Sequence, residues 1–301
     1  PKENQISSEY LFYFMYSSQG QAQIMKSFHG AAQGGINTQF AKDLLVPVPS
    51  IETQRAIAGT LRRVDRLRRK REQANQLTGK IIQSIFLKMF GDPVSNQNRW
   101  PMKTIREVAE RISDGPFGSN LKTEHYVTSG VRVIRLQNIG VGEFLDDDKV
   151  FISLDHYSKI RKHTCLPEDV IVGTLGDPNL RACILPHHVE IAVNKADCIQ
   201  VRPNKNIVTA EYLCYLLNTP QMLTLASSYF HGETRTRISM SQVASLRIPI
   251  PPISVQKRYA QIVVSSDRVS ASQQQSTQEI NELFHSLMKK AFRGELRLGT
   301  H

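Results

Sequence analysis

Two copies of one segment, set 202 residues apart (Tyr212 minus Tyr10), constrain this chain more than any other feature. Val46-Pro47-Val48-Pro49-Ser50 opens a long basic stretch running to Met89 and Phe90, and Ile248-Pro249-Ile250-Pro251-Pro252 opens a second one ending at Phe292. The same offset carries Gln54, Asp65, Ser84, Lys88 and Phe90 onto Gln256, Asp267, Ser286, Lys290 and Phe292. A repeated segment has to find like surroundings twice, so the fold must offer two similar junctions.

Each copy has helical periodicity. From Gln54 to Phe90 the apolar residues Ile57, Leu61, Val64, Leu67, Ala74, Leu77, Ile81, Ile85 and Met89 recur at steps of mostly three or four, which predicts a helix about 55 Å long with a coiled-coil stripe. Pro47 and Pro49 precede it and Gly91-Asp92-Pro93 ends it. The second copy, Gln256 to Phe292, repeats the stripe with Tyr259, Val263, Val269, Ile280, Leu283, Phe284, Leu287 and Ala291, but its middle, residues 270–276, is polar. Two such helices should pack on each other through their ends. The residues expected in the helix pair and in subunit docking are Leu61, Val64, Ile81, Ile85, Val263, Leu283 and Leu287.

Around these helices the texture changes. Residues 7–15 read as an apolar helix, Phe28 to Gly35 as a loop and Leu44–Val48 as a short strand; the order recurs at 209–217, 230–232 and 246–250. Between the long helices, Val131–Arg135, Asp169–Gly173, Ala182–Leu185 and Cys198–Arg202 read as strands, with helices over Thr104–Arg111, Asp155–Lys162 and Ala210–Asn218. The fold class is therefore α+β: a globular α/β domain and the rear of another, alternating with two long helices.

Charge and composition narrow the function. The net charge of +11 points to a polyanionic partner. Between Ile51 and Phe90 stand ten bases against three acids, seven of the eleven excess charges, and the run from Arg62 to Arg71 reads as a site for phosphates or an acidic protein. No apolar run is long enough for a membrane helix and Pro1–Gln5 is unlike a signal peptide, so a cytoplasmic protein is expected. Cys165, Cys183, Cys198 and Cys214 are widely spaced and read as buried apolar residues rather than zinc ligands or disulfides.

No motif for nucleotide binding, serine hydrolysis or zinc catalysis occurs. The His187-His188 pair reads as a polar loop, and Glu168, Asp169 and Asp177 as turn or cap residues, so no catalytic residue and no metal site is expected. The loops carry instead side chains of the kind that can meet nucleic acid: amide and hydroxyl tips for base edges, cations for phosphates and one aromatic expected to be exposed. Candidate DNA-binding residues are Ser113, Asp114, Phe117, Ser119, Asn120 and Lys122; Arg135, Gln137 and Asn138; Thr174, Asn179 and Arg181; and Thr234, Arg235, Arg237 and Ser239.

Trp100–Val108 leading into Ile112–Ser119, Gly130–Ile139, Ile248–Pro252 before Gln256, and Lys290–Leu296 together resemble the specificity subunit of type I restriction-modification enzymes. The resemblance covers essentially the whole chain. It implies two target recognition domains, each reading half of a bipartite DNA site, alternating with two conserved helices that pair antiparallel. It also implies methyltransferase subunits that bind S-adenosylmethionine, a restriction subunit that joins them, and no chemistry in this chain. On that pattern residues 1–50 are the rear of a first recognition domain, 51–91 the central helix, 94–252 a complete recognition domain and 253–297 the distal helix. Half-length members pair to rebuild two domains, which brings in a homodimer. Two readings stay open beside this one: the specificity region of a longer restriction-methylation fusion enzyme, and a basic scaffold without sequence preference.

Overall fold

The computed structural model describes residues 5–26, 40–176, 178–229 and 237–296. Both repeats form 40-residue helices, Ile51–Phe90 and Ile253–Phe292. The chain divides into two compact units: Pro1–Ile81 with Ser266–His301, and Ile82–Ser265. The division falls inside both helices, so neither helix is a domain by itself.

In the first unit the helices run antiparallel. Along the first helix, Arg68, Asn75 and Thr78 meet Phe284, Thr277 and Gln273 of the second. The Arg68 guanidinium lies 4.8 Å from the Phe284 ring centre, Asn75 Nδ2 donates to Thr277 Oγ1 at 3.2 Å, and Thr78 Oγ1 donates to Gln273 Oε1 at 3.3 Å. Asn75 and Thr277 are themselves 202 apart. Equivalent residues of the two copies touch, so the repeat relates the paired helices by an approximate two-fold axis at this point. The centre of the pair is polar, as residues 270–276 imply. Apolar packing lies toward the end, where Ile57, Ala58, Leu61 and Val64 join Tyr10, Tyr13, Phe14, Phe284, Met288, Ala291 and Phe292 in one core. The short helix Ser8–Tyr16 brings the tyrosines, its N-terminus capped by Ser7.

Five apolar residues of the expected stripes are not core: Leu67, Leu77 and Ile81 are each 56% exposed, and Val269 and Leu283 are half exposed. A two-helix pair covers only a narrow seam, and residues beside it stay in solvent. Leu44–Val48 is not a strand either. Its counterpart Arg247–Pro249 is one because Met102–Thr104 pairs with it antiparallel, and no described segment does so for Leu44–Val48.

The second unit is built on three sheets. Strands β1 (Met102–Thr104) to β11 (Arg247–Pro249) include β2 (Ala109–Ser113), β3 (Tyr126–Val127), β4 (Val131–Ile134), β5 (Val150–Ile152), β6 (Thr164–Cys165), β7 (Val170–Gly173), β8 (Ala182–Ile184), β9 (Ala192–Asn194) and β10 (Cys198–Pro203). The orders are β1-β11, β2-β10-β7-β8 and β3-β5-β4-β9-β6, with β4 and β9 parallel. Strand alternation places the four-stranded sheet between two cores. Val170, Val172, Ala182, Ile199 and Val201 face helices Ala210–Leu217 and Met240–Ser245 together with Phe86, Phe90 and Tyr259. Ile171, Cys183 and Cys198 face Ile134 and Ile139. All four cysteines are buried.

The helix expected over Thr104–Arg111 stops at Val108, because residues 109–113 pair with β10 as β2. Asp169 is no exposed cap: it is buried, closes a turn by accepting from Leu166 N–H, and receives Arg202 through Nε and one terminal nitrogen at 2.8 and 2.9 Å and Gln200 Nε2 at 2.8 Å. A buried carboxylate survives there because four donors, two of them from a guanidinium, meet its oxygens. Among the described residues, no helix is long and apolar enough to cross a membrane.

Candidate nucleic-acid interface

Four stretches far apart in sequence converge in the second unit on a shallow depression of about 110 Å³ lined by Asp114, Phe117, Thr174, Asp197, Arg237 and Ser239. The approach is tight. Gly115 lies so close to the Lys195–Ala196 peptide that a Cβ there would sit 2.1 Å from the Lys195 carbonyl carbon, which only glycine avoids. Thr174 is buried and fixed to the same turn: its N–H and its hydroxyl both donate to the Asp197 carbonyl, at 2.9 and 3.1 Å. Ile238 N–H donates to Thr174 O, and Arg237 forms an isolated bridge with Leu175.

Arg237 is the central cation. One terminal nitrogen lies 2.7 Å from Asp197 Oδ1 and the guanidinium carbon 5.9 Å from the Phe117 ring centre. Both partners restrict the side chain while it stays 45% exposed, so its fork is pre-organised and still reachable. Phe117, half exposed, supplies an apolar face of the kind that meets a thymine methyl. Ser119, Asn120 and Lys122 extend the rim and are exposed. Asn120 Nδ2 donates to Phe117 O, and Lys122 lies 3.5 Å from Glu124. Behind this loop the His125 and His156 rings stack at 4.1 Å, with His156 Nε2 2.9 Å from Asn120 O.

Several expected readers serve the fold instead. Asn138 is fully buried; its amide nitrogen donates to Leu145 O and Asp148 O, and its Oδ1 accepts from Arg135 N–H, so neither N–H is left for a bidentate pair with adenine. Arg181 clamps two loops, donating to the carbonyls of Ile139, Leu175, Pro178 and Leu136. Asn179 is buried. Ser113 donates to Gln200 Oε1 inside the sheet, and Ser239 caps helix Met240–Ser245 in a capping box with Gln242. Arg135 is half committed: its Nε donates to Asp148 at 2.7 Å, and Asp148 raises its pKa. Gln137 is exposed. Thr234 and Arg235, like the loops at Phe28–Gly35 and 230–232, lie outside the described residues.

Two participants were missed in the sequence. Asp197 holds Arg237, and Lys195 donates from Nζ to the Tyr126 hydroxyl at 2.9 Å, 5.4 Å from that ring's centre. The signal available was the turn-forming run Asn194-Lys195-Ala196-Asp197 between two strands.

This arrangement holds a ready cation fork, an apolar ring and a polar rim, the chemistry of groove recognition. The model of the type I restriction modification DNA specificity domain matches residues 99–282, and the chain belongs to that family. It is a DNA-recognition component of a type I restriction-modification system. The chain is similar to the type I restriction enzyme MjaVIII specificity subunit of Methanocaldococcus jannaschii, 20% identical over 99% of this chain and 72% of that one. It is also similar to the EcoBI specificity subunit of Escherichia coli, 21% identical over 87% of this chain and 60% of that one. The solved type I system S subunit from M. genitalium has the same fold, with a TM-score of 0.58 at 16% identity over 97% of this chain and 74% of that one.

Proposed function

We propose that the second unit reads one half of a bipartite duplex site through the Arg237–Phe117 depression and the 117–122 rim. The helix pair holds methyltransferase subunits, and the restriction subunit joins them. The observation that carries this is the convergence of Phe117, Thr174, Asp197 and Arg237 from distant segments. S-adenosylmethionine, base flipping and methyl transfer belong to the partners, and this chain does no chemistry and acts in the cytoplasm.

The seat for the methyltransferases fits the exposed apolar residues. Leu67 and Ile81 lie two heptads apart on one stripe of the first helix, and their equivalents in the second are Val269 and Leu283, all four half exposed or more. A two-fold arrangement of like residues suits a partner present twice. Helix Ser8–Tyr16 also exposes Phe12 and Tyr16, whereas their counterparts Cys214 and Asn218 are engaged at Ala182 of β8. A sheet of a first recognition domain, from the same polypeptide or from a second copy in a homodimer, would cover that face.

Co-expression with the partner methyltransferase, followed by mapping of methylated bases in the host genome, tests the reading. A bipartite motif with a fixed spacer is the expected result; binding indifferent to sequence would favour the basic scaffold. Arg237→Ala should cut discrimination at one base position by about 1–3 kcal/mol. An equal loss on cognate and random DNA would reduce Arg237 to a phosphate contact.

A further inference from the structure

The basic run on the first helix has no place in the base-reading depression. From Arg62 to Arg71 stand seven bases and one acid; the equivalent residues 264–273 carry one base, Arg268, and one acid, Asp267. Arg62, Arg63, Arg66, Arg69 and Lys70 are exposed. Asp65 is committed to Arg68 and Arg69, each at 2.9 Å, and Glu9 lies 3.5 Å from Arg62. Among the described residues, no carboxylate pairs with Arg63, Arg66, Lys70 or Arg71. Seven bases beside two carboxylates leave this cluster only partly neutralised; on one rigid helix it repels itself, and binding a polyanion relieves that repulsion.

Its asymmetry says what kind of partner it meets. The exposed apolar residues Leu67 and Ile81 are matched by Val269 and Leu283 across the two-fold axis, as a partner bound in two copies requires. The charge is present on one copy only, so it does not serve that partner. We propose that Arg62, Arg63, Arg66, Arg69 and Lys70 form a phosphate-backbone contact for duplex DNA, independent of sequence and separate from the base-reading depression. Five residues of this kind, four of them arginine, match phosphates by fork geometry better than they match a row of carboxylates on a flexible peptide. Arg62 to Lys70 spans about 12 Å of helix, the axial length over which one strand carries three or four phosphates. This inference rests on the DNA-recognition reading above.

The second helix supplies the test variant. Arg63→Ser, Arg69→Ala and Lys70→Ser install the residues that the other copy carries at these exposed positions, so the helix should persist, with unchanged far-UV circular dichroism. Binding of the full chain to a fluorescein-labelled 40-bp duplex of arbitrary sequence is titrated between about 50 and 200 mM KCl. The plot of log K against log salt should become shallower by about 2 to 3 in the triple variant, near 0.9 per phosphate lost. An unchanged slope overturns the proposal, and so does a variant that loses affinity for labelled poly-glutamate but keeps its affinity for the duplex, which would assign the patch to an acidic protein. Selectivity for a cognate site, measured with the methyltransferase present, is read separately. An unchanged slope with selectivity intact removes the patch alone, whereas a wild-type chain without selectivity removes the underlying reading.

Discussion

The two units solve one problem with the same polar frame and different apolar filling. In the first, the Tyr10 hydroxyl donates to Pro47 O, Gln54 Oε1 accepts from Ser7 N–H, and Gln54 Nε2 donates to Gln5 O and Pro49 O. In the second, Tyr212 donates to Pro249 O, Gln256 Oε1 accepts from Thr209 N–H, and Gln256 Nε2 donates to Ile207 O and Pro251 O. Every atom is shifted by 202 residues. The filling is not: Phe86, Leu216 and Tyr259 stand where Met288, Phe14 and Ile57 stand. Large and small residues trade places within each junction, so volume is kept while shape is not. Hydrogen bonds to buried carbonyls in proline-rich segments leave no choice of partner, whereas dispersion contacts accept any set that fills the space.

Removing a ring from the aromatic cluster is the most severe way to test that difference. Phe86 lies 4.9, 5.6 and 5.3 Å from the ring centres of Phe90, Tyr212 and Tyr259, and is fully buried. Phe86→Ala should lower stability by about 3–5 kcal/mol in urea unfolding, and Met288→Ala in the other junction by less. Equal losses would mean that the cluster contributes no more than a thioether does.

The polar frame predicts the opposite relation. Gln54 and Gln256 are both fully buried with three hydrogen bonds each, so Gln54→Leu and Gln256→Leu should each cost about 2–4 kcal/mol, the penalty for stranding buried backbone groups. Amide exchange at Ser7 and Thr209, followed residue by residue, should speed up in the matching variant only. A large effect at one glutamine and none at the other would break the equivalence of the junctions.

How much of this was legible follows the same division. The repeat, the long helices and strands β4, β7, β8, β10 and β11 come from backbone periodicity and proline placement, which are local. Leu67, Leu77, Ile81 and Leu283 were misplaced because periodicity gives the stripe and not its width, which depends on how many helices pack there. Loop composition singled out Phe117 and Arg237, which the fold brings to one depression, and the exposed residues of 119–122, but it could not separate Arg237 from Arg181 or Gln137 from Asn138. Those pairs differ only in which carbonyls the fold brings within reach. Asp197 was missed because its significance lies in a partner forty residues downstream (Arg237 minus Asp197).

The comparison reaches pH through His163, whose surroundings have no counterpart among the described residues of the first unit. Burial holds its pKa below the ordinary histidine value; its 2.6 Å hydrogen bond to Asp114 O opposes this, and Lys162 and Arg111 lower it further. The neutral ring donates from Nδ1 to that carbonyl and so ties β6 to the loop that carries Asp114 and Phe117. A histidine harder to protonate when folded contributes stability that is present above about pH 6.5, where the unfolded chain would titrate, and is lost as the pH falls from there towards the folded-state pKa. The second unit should therefore loosen on mild acidification by this route, and His163→Gln, which keeps a donor without a titrating proton, should remove that share of the loss. The melting temperature of the wild type should fall further between pH 7.5 and 5.5 than that of the variant. Identical falls would show that His163 takes up no proton over this range, and the acid sensitivity would then belong to both units alike.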